Sequence, residues 1–391
     1  MDPINPAVLA ESDVVVVGAG AVGTSIAYHL ARRGAAVTLV DRRYVCAETS
    51  SATFGLVWVQ SKVPEPYTRL SRLSSDLYPE LIGALDEDVE YRRPGGIRVA
   101  FSERELADLA VLAERQRHAA DLEIEVLDGP ALRRLEPALG PEVVGGSFCR
   151  QDGHVNALAL VNALARAARR AGARVLSRTA VTGIQRRDGA VSAVETERGL
   201  IRTRQVVNAA GVAAPEICRM VGIALPIVPC RGQILVTQAL PRLLDHPLNH
   251  VRQSPATGVV FCGETGEFAG LDTGTTLEAA REVAWRAIRT IPALAGAQAL
   301  RVFAGLRPWP PDGVPFFGPV RGVPGFYVAV GHSGITLAAV YGKVLSELIL
   351  DGSTAVPLEP YDPLRYAGAA EVEFRRGELR LRVRLPGGPR S

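Results

Sequence analysis

The sequence predicts an α/β protein in which a nucleotide-binding domain on a parallel sheet is interleaved with an α+β domain. The second domain is expected to rest on a mixed, largely antiparallel sheet. Three observations carry this. The stretch DVVVVGAGAVGTSIAYHLARRGAAVTLVDR (13–42) has the build of a nucleotide-binding βαβ unit. The stretch GFYVAVGHSGITLAAVYGKVLSELILDG (325–352) repeats strand, glycine turn and helix far along the chain. Between them lie two blocks of shorter, alternating apolar runs, with no loose linker.

Each element follows in order. Val14–Val17 is β-branched, continuous and bounded by glycine, as a buried parallel strand is. AVGTSIAYHLARRG reads as a helix closed by Gly34, and AVTLVD as the next strand. YTRLSRLSSDLYPELIGAL is an amphipathic helix, and VEYRRPGGIRVAF reads as a hairpin around Pro-Gly-Gly. SERELADLAVLAERQRHAADL opens with a Ser-x-x-Glu start, and DGPALRRLEPAL is a short helical turn. NALALVNALARAARRAG is a helix, followed by strands ARVLS, AVTGIQRR, AVSAVETE and IRTRQVVNAAG. From 223 to 303 come PIVPCRGQILVTQ, GVVFCGETG and one helix, TLEAAREVAWRAIRTI. The tail AEVEFRRGELRLRVRL (370–385) alternates around Arg-Gly like a hairpin. The nucleotide-binding domain is therefore expected over 1–80, 150–221 and 304–366, the other over 81–149 and 222–303, and the tail over 367–391.

Composition narrows the function. A chain of 391 residues, 47% hydrophobic and 22% charged, buries a sizeable core. A net charge of +3, without a dense basic stretch, argues against nucleic acid as a partner. No apolar run approaches the ~20 residues of a membrane span. The opening MDPINPAVLAESD lacks a basic region and an apolar core, so no secretory signal is expected. The five cysteines form no C-x-x-C pair, which fits reduced thiols in a cytoplasmic protein and no metal site. Lys62 and Lys343 are the only lysines.

Gly18-Ala19-Gly20-Ala21-Val22-Gly23 has the G-x-G-x-x-G spacing. The first glycine permits the tight turn, the second admits a pyrophosphate, and the third lets helix pack on strand. The helix N-terminus favours the anion. Asp41 at the end of the second strand suits ribose hydroxyls and repels a 2′-phosphate, against NADP. NAD and FAD both remain open on these residues. Three stretches bear on the choice: the hydroxyl-rich loop ETSSATFG (48–55), the strand end VVNAAG, and GHSGIT (331–336) before a helix. The last can stabilise negative charge on a reduced flavin, an element a nicotinamide enzyme does not need.

These pieces, with DGHVNALALVNALARAARRAGARV and AGLRPWPPDGVPFFGP, lie in family order over about 13–355. The chain resembles the D-amino-acid oxidase-like family of FAD-dependent amine oxidoreductases. GLVWVQSK and GHSGIT are most similar to β subunits of opine, hydroxyproline and proline dehydrogenases, alongside glycine oxidase and D-amino-acid dehydrogenase. The resemblance implies a glutathione-reductase-type, Rossmann-like FAD-binding domain. It implies that Gly18, Gly20, Ala21, Val22 and Gly23 hold pyrophosphate and that Asp41 and Arg42 hold the adenosine end. Thr49, Ser50 and Ser51 continue along the phosphates, Phe54, Gly55 and Leu56 lie against the flavin, and Val181 meets the adenine. Ala210, Gly211 and Gly305 flank the cofactor, and Gly331, His332, Ser333, Gly334, Ile335 and Thr336 close on the pyrimidine edge.

The implied chemistry is hydride transfer from the amine-bearing carbon of a small amine or amino acid to flavin N5. The resulting imine is hydrolysed by water. Such chemistry needs orientation and water exclusion, not a side-chain nucleophile. The family's glycine-oxidase-like members place an arginine where Arg307 stands, to hold the substrate carboxylate; the alternative is an ion pair with Asp312. Trp58 and Gln60 either shape the substrate face or belong to the core. His332 is read as a packing residue and His154 as a helix cap. Lys62 either serves near the flavin or lies on the surface. Sarcosine oxidases use lysines that this chain lacks between Lys62 and Lys343, and no cysteine follows Cys262, so noncovalent FAD and weak oxygen reactivity are implied. The β-subunit likeness implies further subunits in a hetero-oligomer. A peroxide-forming oxidase and a non-catalytic nucleotide-binding protein stand as the other readings.

Overall fold

The computed structural model describes residues 8–385. At its centre lies a six-stranded sheet, in the order Phe316–Pro319, Phe326–Val330, Gln205–Asn208, Val14–Val17, Val37–Val40, Arg174–Leu176. All neighbours are parallel except the first pair. Val14–Val17 is central and buried on both faces, which explains its unbroken valines. Full burial of each such side chain contributes roughly 1.5–3 kcal/mol.

The two faces are covered differently. Helices Ala21–Arg32, Glu65–Leu85, Ala157–Arg170 and Gly334–Asp351 contribute to the core on one face, with Ile26, Leu70, Leu164 and Leu337 buried together. On the other side lies a four-stranded sheet, in the order Val8–Glu11, Gly199–Arg202, Ala190–Thr196, Val181–Arg187. Its Val194 and Ile201 share a core with Val15 and Phe326. The run IRTRQVVNAAG, read as one strand, is split here. Gly199–Arg202 joins the four-stranded sheet and Gln205–Asn208 the central one. The Thr203 hydroxyl lies within hydrogen-bond reach of the carbonyls of Asp13 and Gln205 at the break.

The remaining part holds two antiparallel sheets. One has Gly96–Ala100 and Ile124–Asp128 on either side of Gly145–Cys149. The other runs Val251–Gln253, Val259–Cys262, Val228–Ala239, Ala299–Trp309. A single parallel bridge between Ile97 and Leu248 joins them. Helix Leu277–Thr290, capped by Thr276, packs Val283 and Ala287 into this core. In helix Glu103–Ala120 the Ser102 side chain accepts from Glu105 N, while Glu105 accepts from Phe101 N.

The expected hairpin around Pro-Gly-Gly does not form. Arg92 bridges to His154, and Gly96–Ala100 pairs with Gly145–Cys149. The glycines serve close packing instead. A Cβ on Gly95 would stand 2.3 Å from the Phe148 ring, and one on Gly96 2.5 Å from the Trp58 ring. The tail does form a hairpin, Glu371–Arg376 with Leu379–Arg384, and buries Val372 and Phe374 against its own chain.

Candidate active site

The turn after Val14–Val17 shows why glycine is needed. Gly18 has φ +104°, and a Cβ there would lie 2.5 Å from the Ala209 carbonyl oxygen. A Cβ on Gly23 would lie 1.8 Å from the Gly18 carbonyl, so Gly23 packs helix on turn and does not line the cavity. Ser50 Oγ accepts from Ala21 N at 3.0 Å. The N–H groups of Val22 and Gly23 have no acceptor among the described residues. Asp41 accepts from Ala19 N at 2.8 Å and Arg43 N at 2.7 Å, bracing the turn from the neighbouring strand.

One cavity of about 1020 Å3 runs from this turn across the molecule. It meets the upper end of the ~300–1,000 Å3 usual for small-molecule sites. Gly18, Gly20, Ala21, Val22, Asp41, Arg42, Thr49, Ser50, Val181, Ala210 and Gly211 line one end. Phe54, Leu56, Trp58, Gly305 and Gly331–Thr336 line its middle and far reaches with Arg307. Arg42 is held by Glu48 in a two-pronged pair at 2.8 Å. Thr49 donates to the Leu306 carbonyl at 2.7 Å, tying the hydroxyl-rich loop to the long strand that carries Arg307.

Four residues from the expected site do not line the cavity: Gly23, Ser51, Gly55 and Gln60. Ser51 is exposed and donates to the Glu48 carbonyl. Gly55 packs against Val155, where a Cβ would lie 2.1 Å from the carbonyl oxygen. Gln60 is a buried core residue rather than a wall of the substrate site. It donates to Asp152 Oδ2 at 2.7 Å and the Gly96 carbonyl at 3.0 Å, and accepts from Ser147 at 2.7 Å. His154 is not the cap of the following helix. Asn156 caps it, and His154 Nδ1 accepts from Arg252 at 3.1 Å.

At the far end, helix Gly334–Asp351 begins without a side-chain cap. The N–H groups of Gly334, Ile335 and Thr336 have no acceptor among the described residues. The Thr336 hydroxyl accepts from Trp58 N at 3.0 Å, fixing this helix start to the loop 54–58. Lys62 is buried, and its Nζ donates to Ser333 Oγ at 2.7 Å. Burial pushes its pKa down to about 8, against the pull of Asp152 and Glu264. Burial also holds the His332 imidazole well below its usual range, helped by the charges of Lys62, Arg307 and Arg376, so it stays neutral. Its ring lies 5.0 Å from that of Trp309.

Arg307 sits near the end of strand Ala299–Trp309, opposite Cys230 in register. Asp312, its possible partner by sequence, pairs with Arg365 at 2.9 Å instead. The Arg307 guanidinium donates to the Thr265 carbonyl at 3.0 Å and has no carboxylate partner among the described residues. It lies over Gly232, where a Cβ would be 2.0 Å from Nη1. Several lining residues were not singled out as site residues from the sequence: Ser61, Tyr67, Arg98, Trp309, Arg376 and Gly377.

A phosphate-accepting turn, a carboxylate behind it, and a second uncapped helix start in the same cavity are what a long dinucleotide cofactor needs. The family profile described as FAD dependent oxidoreductase (DAO) matches residues 13–348. The chain belongs to the DAO family of FAD-dependent oxidoreductases. It is 32% identical over 374 residues to one of the opine oxidase subunits of Rhizobium meliloti, covering 91% of this chain and 98% of that protein. Its structure is similar to glycine oxidase from Geobacillus kaustophilus, with TM-score 0.86 at 27% identity, covering 92% of this chain and 100% of that one. It is also similar to L-proline dehydrogenase from P. horikoshii, with TM-score 0.83 at 27% identity, covering 91% and 98%. Like other DAO proteins, the chain is an FAD-dependent oxidoreductase. The unpaired N–H groups at 22–23 and 334–336 and the cavity's length fit that cofactor.

Proposed function

We propose that this DAO protein oxidises the C–N bond of a carboxylate-bearing amine or amino acid to an imine that water then hydrolyses. Bound FAD supplies the two-electron acceptor. The observation that carries the reading is Arg307, a part-buried guanidinium with no carboxylate partner among the described residues, inside the cofactor cavity. Such a charge is costly to bury alone and suits a ligand carboxylate gripped by two parallel hydrogen bonds. The opine oxidase, glycine oxidase and proline dehydrogenase likenesses support the same substrate class.

The chain's own residues divide the work. Arg307 fixes the carboxylate and so orients the adjacent C–H bond. The uncapped N–H groups of Gly334–Thr336 offer positive potential to the cofactor end they face. Neutral His332 adds no charge of its own beside Arg307. Lys62, softened by burial, holds or takes a proton near Ser333. Anaerobic mixing with candidate amino acids tests the reading: bleaching of the flavin absorption supports it, and no bleaching by any of them overturns it. Admitting air then separates dehydrogenase from oxidase. The oxidase reading draws support from Lys62, whose cation lines the cavity and would stabilise negative charge on reduced oxygen.

The opine oxidase relative is by name one subunit among others, which supports work beside further chains. Leu277, Trp285 and Ile288 share one exposed face of their helix, which suits such a contact. Equal turnover by the isolated chain and by any complex containing it would defeat this part. The five buried thiols agree with a reducing, cytoplasmic location, and no helix among the described residues is long and apolar enough to cross a membrane.

A further inference from the structure

The C-terminal hairpin reaches the cavity. Arg376 and Gly377, at its turn, line the same space as Arg307. The hairpin is anchored there: Trp309 Nε1 donates to the Arg375 carbonyl at 2.9 Å, and Arg375 N to the Pro311 carbonyl at 3.2 Å. The Arg376 guanidinium stands 5.7 Å from the Trp309 ring centre. It lies directly on Gly266, where a Cβ would be 1.2 Å from Nη1. Arg307 donates to the carbonyl of Thr265, the preceding residue. Two guanidiniums therefore rest against consecutive residues of one segment.

Neither is neutralised. Arg376 has no hydrogen-bond acceptor or ion-pair partner among the described residues, and Arg307 has no carboxylate partner among them. The other charges at this end are mostly taken. Arg286 pairs with Glu282 at 2.5 Å, and Asp312 with Arg365. Arg98 donates to the Ser61 hydroxyl, Lys62 to Ser333, and the Glu264 carboxylate accepts from Asn249. Among the cavity-lining side chains at this end, Arg98, Lys62, Arg307 and Arg376 face one anion, Glu264, with Asp152 buried behind Lys62 as a further acid. A substrate with a single carboxylate leaves most of that excess in place. Uncompensated charge in a partly desolvated site is unfavourable, and a second ligand anion removes more of it.

We infer that the substrate is an amine bearing two carboxylates, one held by Arg307 and the other, on the far side of the nitrogen, by Arg376 of the hairpin. The inference rests on amine oxidation in this cavity and names the substrate class within it. Arg376 is then a specificity residue, and the hairpin a working wall of the site.

Sarcosine and iminodiacetate are a matched pair of probes, since the N-methyl of the first becomes N-carboxymethyl in the second. Trp58 and Trp309 line the cavity, so quenching of tryptophan emission in the FAD-loaded protein reports binding without turnover. Iminodiacetate is expected to bind at least about tenfold more tightly than sarcosine. Arg376→Gln should bring the two within about twofold while sarcosine binding is unchanged. Gly266→Ala, which leaves the arginine in the sequence but displaces its guanidinium, should do the same. Equal binding of the two probes by the unaltered protein, or a preference that survives both substitutions, would overturn the inference. Flavin bleaching by amino acids is read separately. Its absence counts against amine oxidation, whereas the binding preference alone decides the role of Arg376.

Discussion

The Asp41 carboxylate holds the backbone of Ala19, 2.8 Å from its N–H, so the acid that ends one strand stiffens the glycine turn that ends its neighbour. Asp41 also lines the cavity, so we propose that it acts on the cofactor twice, through a ribose at that end and through the turn it braces. Asp41→Ala should weaken FAD binding by roughly 1.5–3 kcal/mol, the scale of a hydrogen bond to a charged group. The rise in flavin fluorescence on dilution measures the loss. Retention equal to that of the parent protein would remove Asp41 from the cofactor site.

Arg307→Met should weaken amino-acid binding by roughly 2–4 kcal/mol, as when one partner of a buried charge pair is removed. The flavin should stay bound. The concentration dependence of flavin reduction is the readout, and unchanged saturation would place the carboxylate elsewhere.

Lys62 titrates at about 8 because burial disfavours its charged form. If the neutral amine takes the substrate's proton, flavin reduction accelerates as pH rises through about 8. Lys62→Met should keep its flavin and lose that rise. A variant with the parent pH profile would reduce Lys62 to a packing role.

Asp152 is fully buried, and burial raises its carboxyl to about 7 despite hydrogen bonds from Val59 N and Gln60. The folded state thus favours the protonated acid. Its stabilising effect is complete below the unfolded pKa near 4 and is lost as pH climbs through about 7, by up to about 4 kcal/mol. Thermal midpoints should fall between about pH 4 and 7 and level off above, and the slope should flatten in Asp152→Asn. An equally steep fall in the variant would assign the pH dependence to other groups.

All five cysteines are buried and none follows Cys262, so no thiol is offered for attachment of the flavin in the last third of the chain. Acid precipitation should leave the yellow colour in the supernatant. Colour in the pellet would show a covalent bond.

The cofactor half was readable because its demands are local. A tight turn requires glycine at 18, and a strand buried on both faces requires unbroken valines at 14–17. The substrate half depends on contacts across long stretches of chain. Gln60 follows a loop that lines the cavity, yet Asp152 and Ser147 draw its amide into the core. Lys62 looks like a surface residue until Ser333, 271 positions away, accepts its hydrogen bond. Arg376 sits in an ordinary alternating hairpin, and only the packing of that hairpin beside Trp309 turns it inward. Charge and period in a short window carry no trace of these meetings.

The order of strands in the central sheet bears on how the molecule is made. Val14–Val17 pairs with Gln205–Asn208, which pairs in turn with Phe326–Val330. Gly18 also packs on Ala209. Val14–Val17 meets Val37–Val40 soon after it is made, but its other edge must wait for Gln205–Asn208, about 190 residues later, a high contact order that favours slow folding. During that wait its four valines and an unpaired strand edge stay open to other chains. Yield on overexpression should thus respond to chaperones and to slower growth. A fragment cut between residues 222 and 303 should aggregate instead of forming a smaller nucleotide-binding unit.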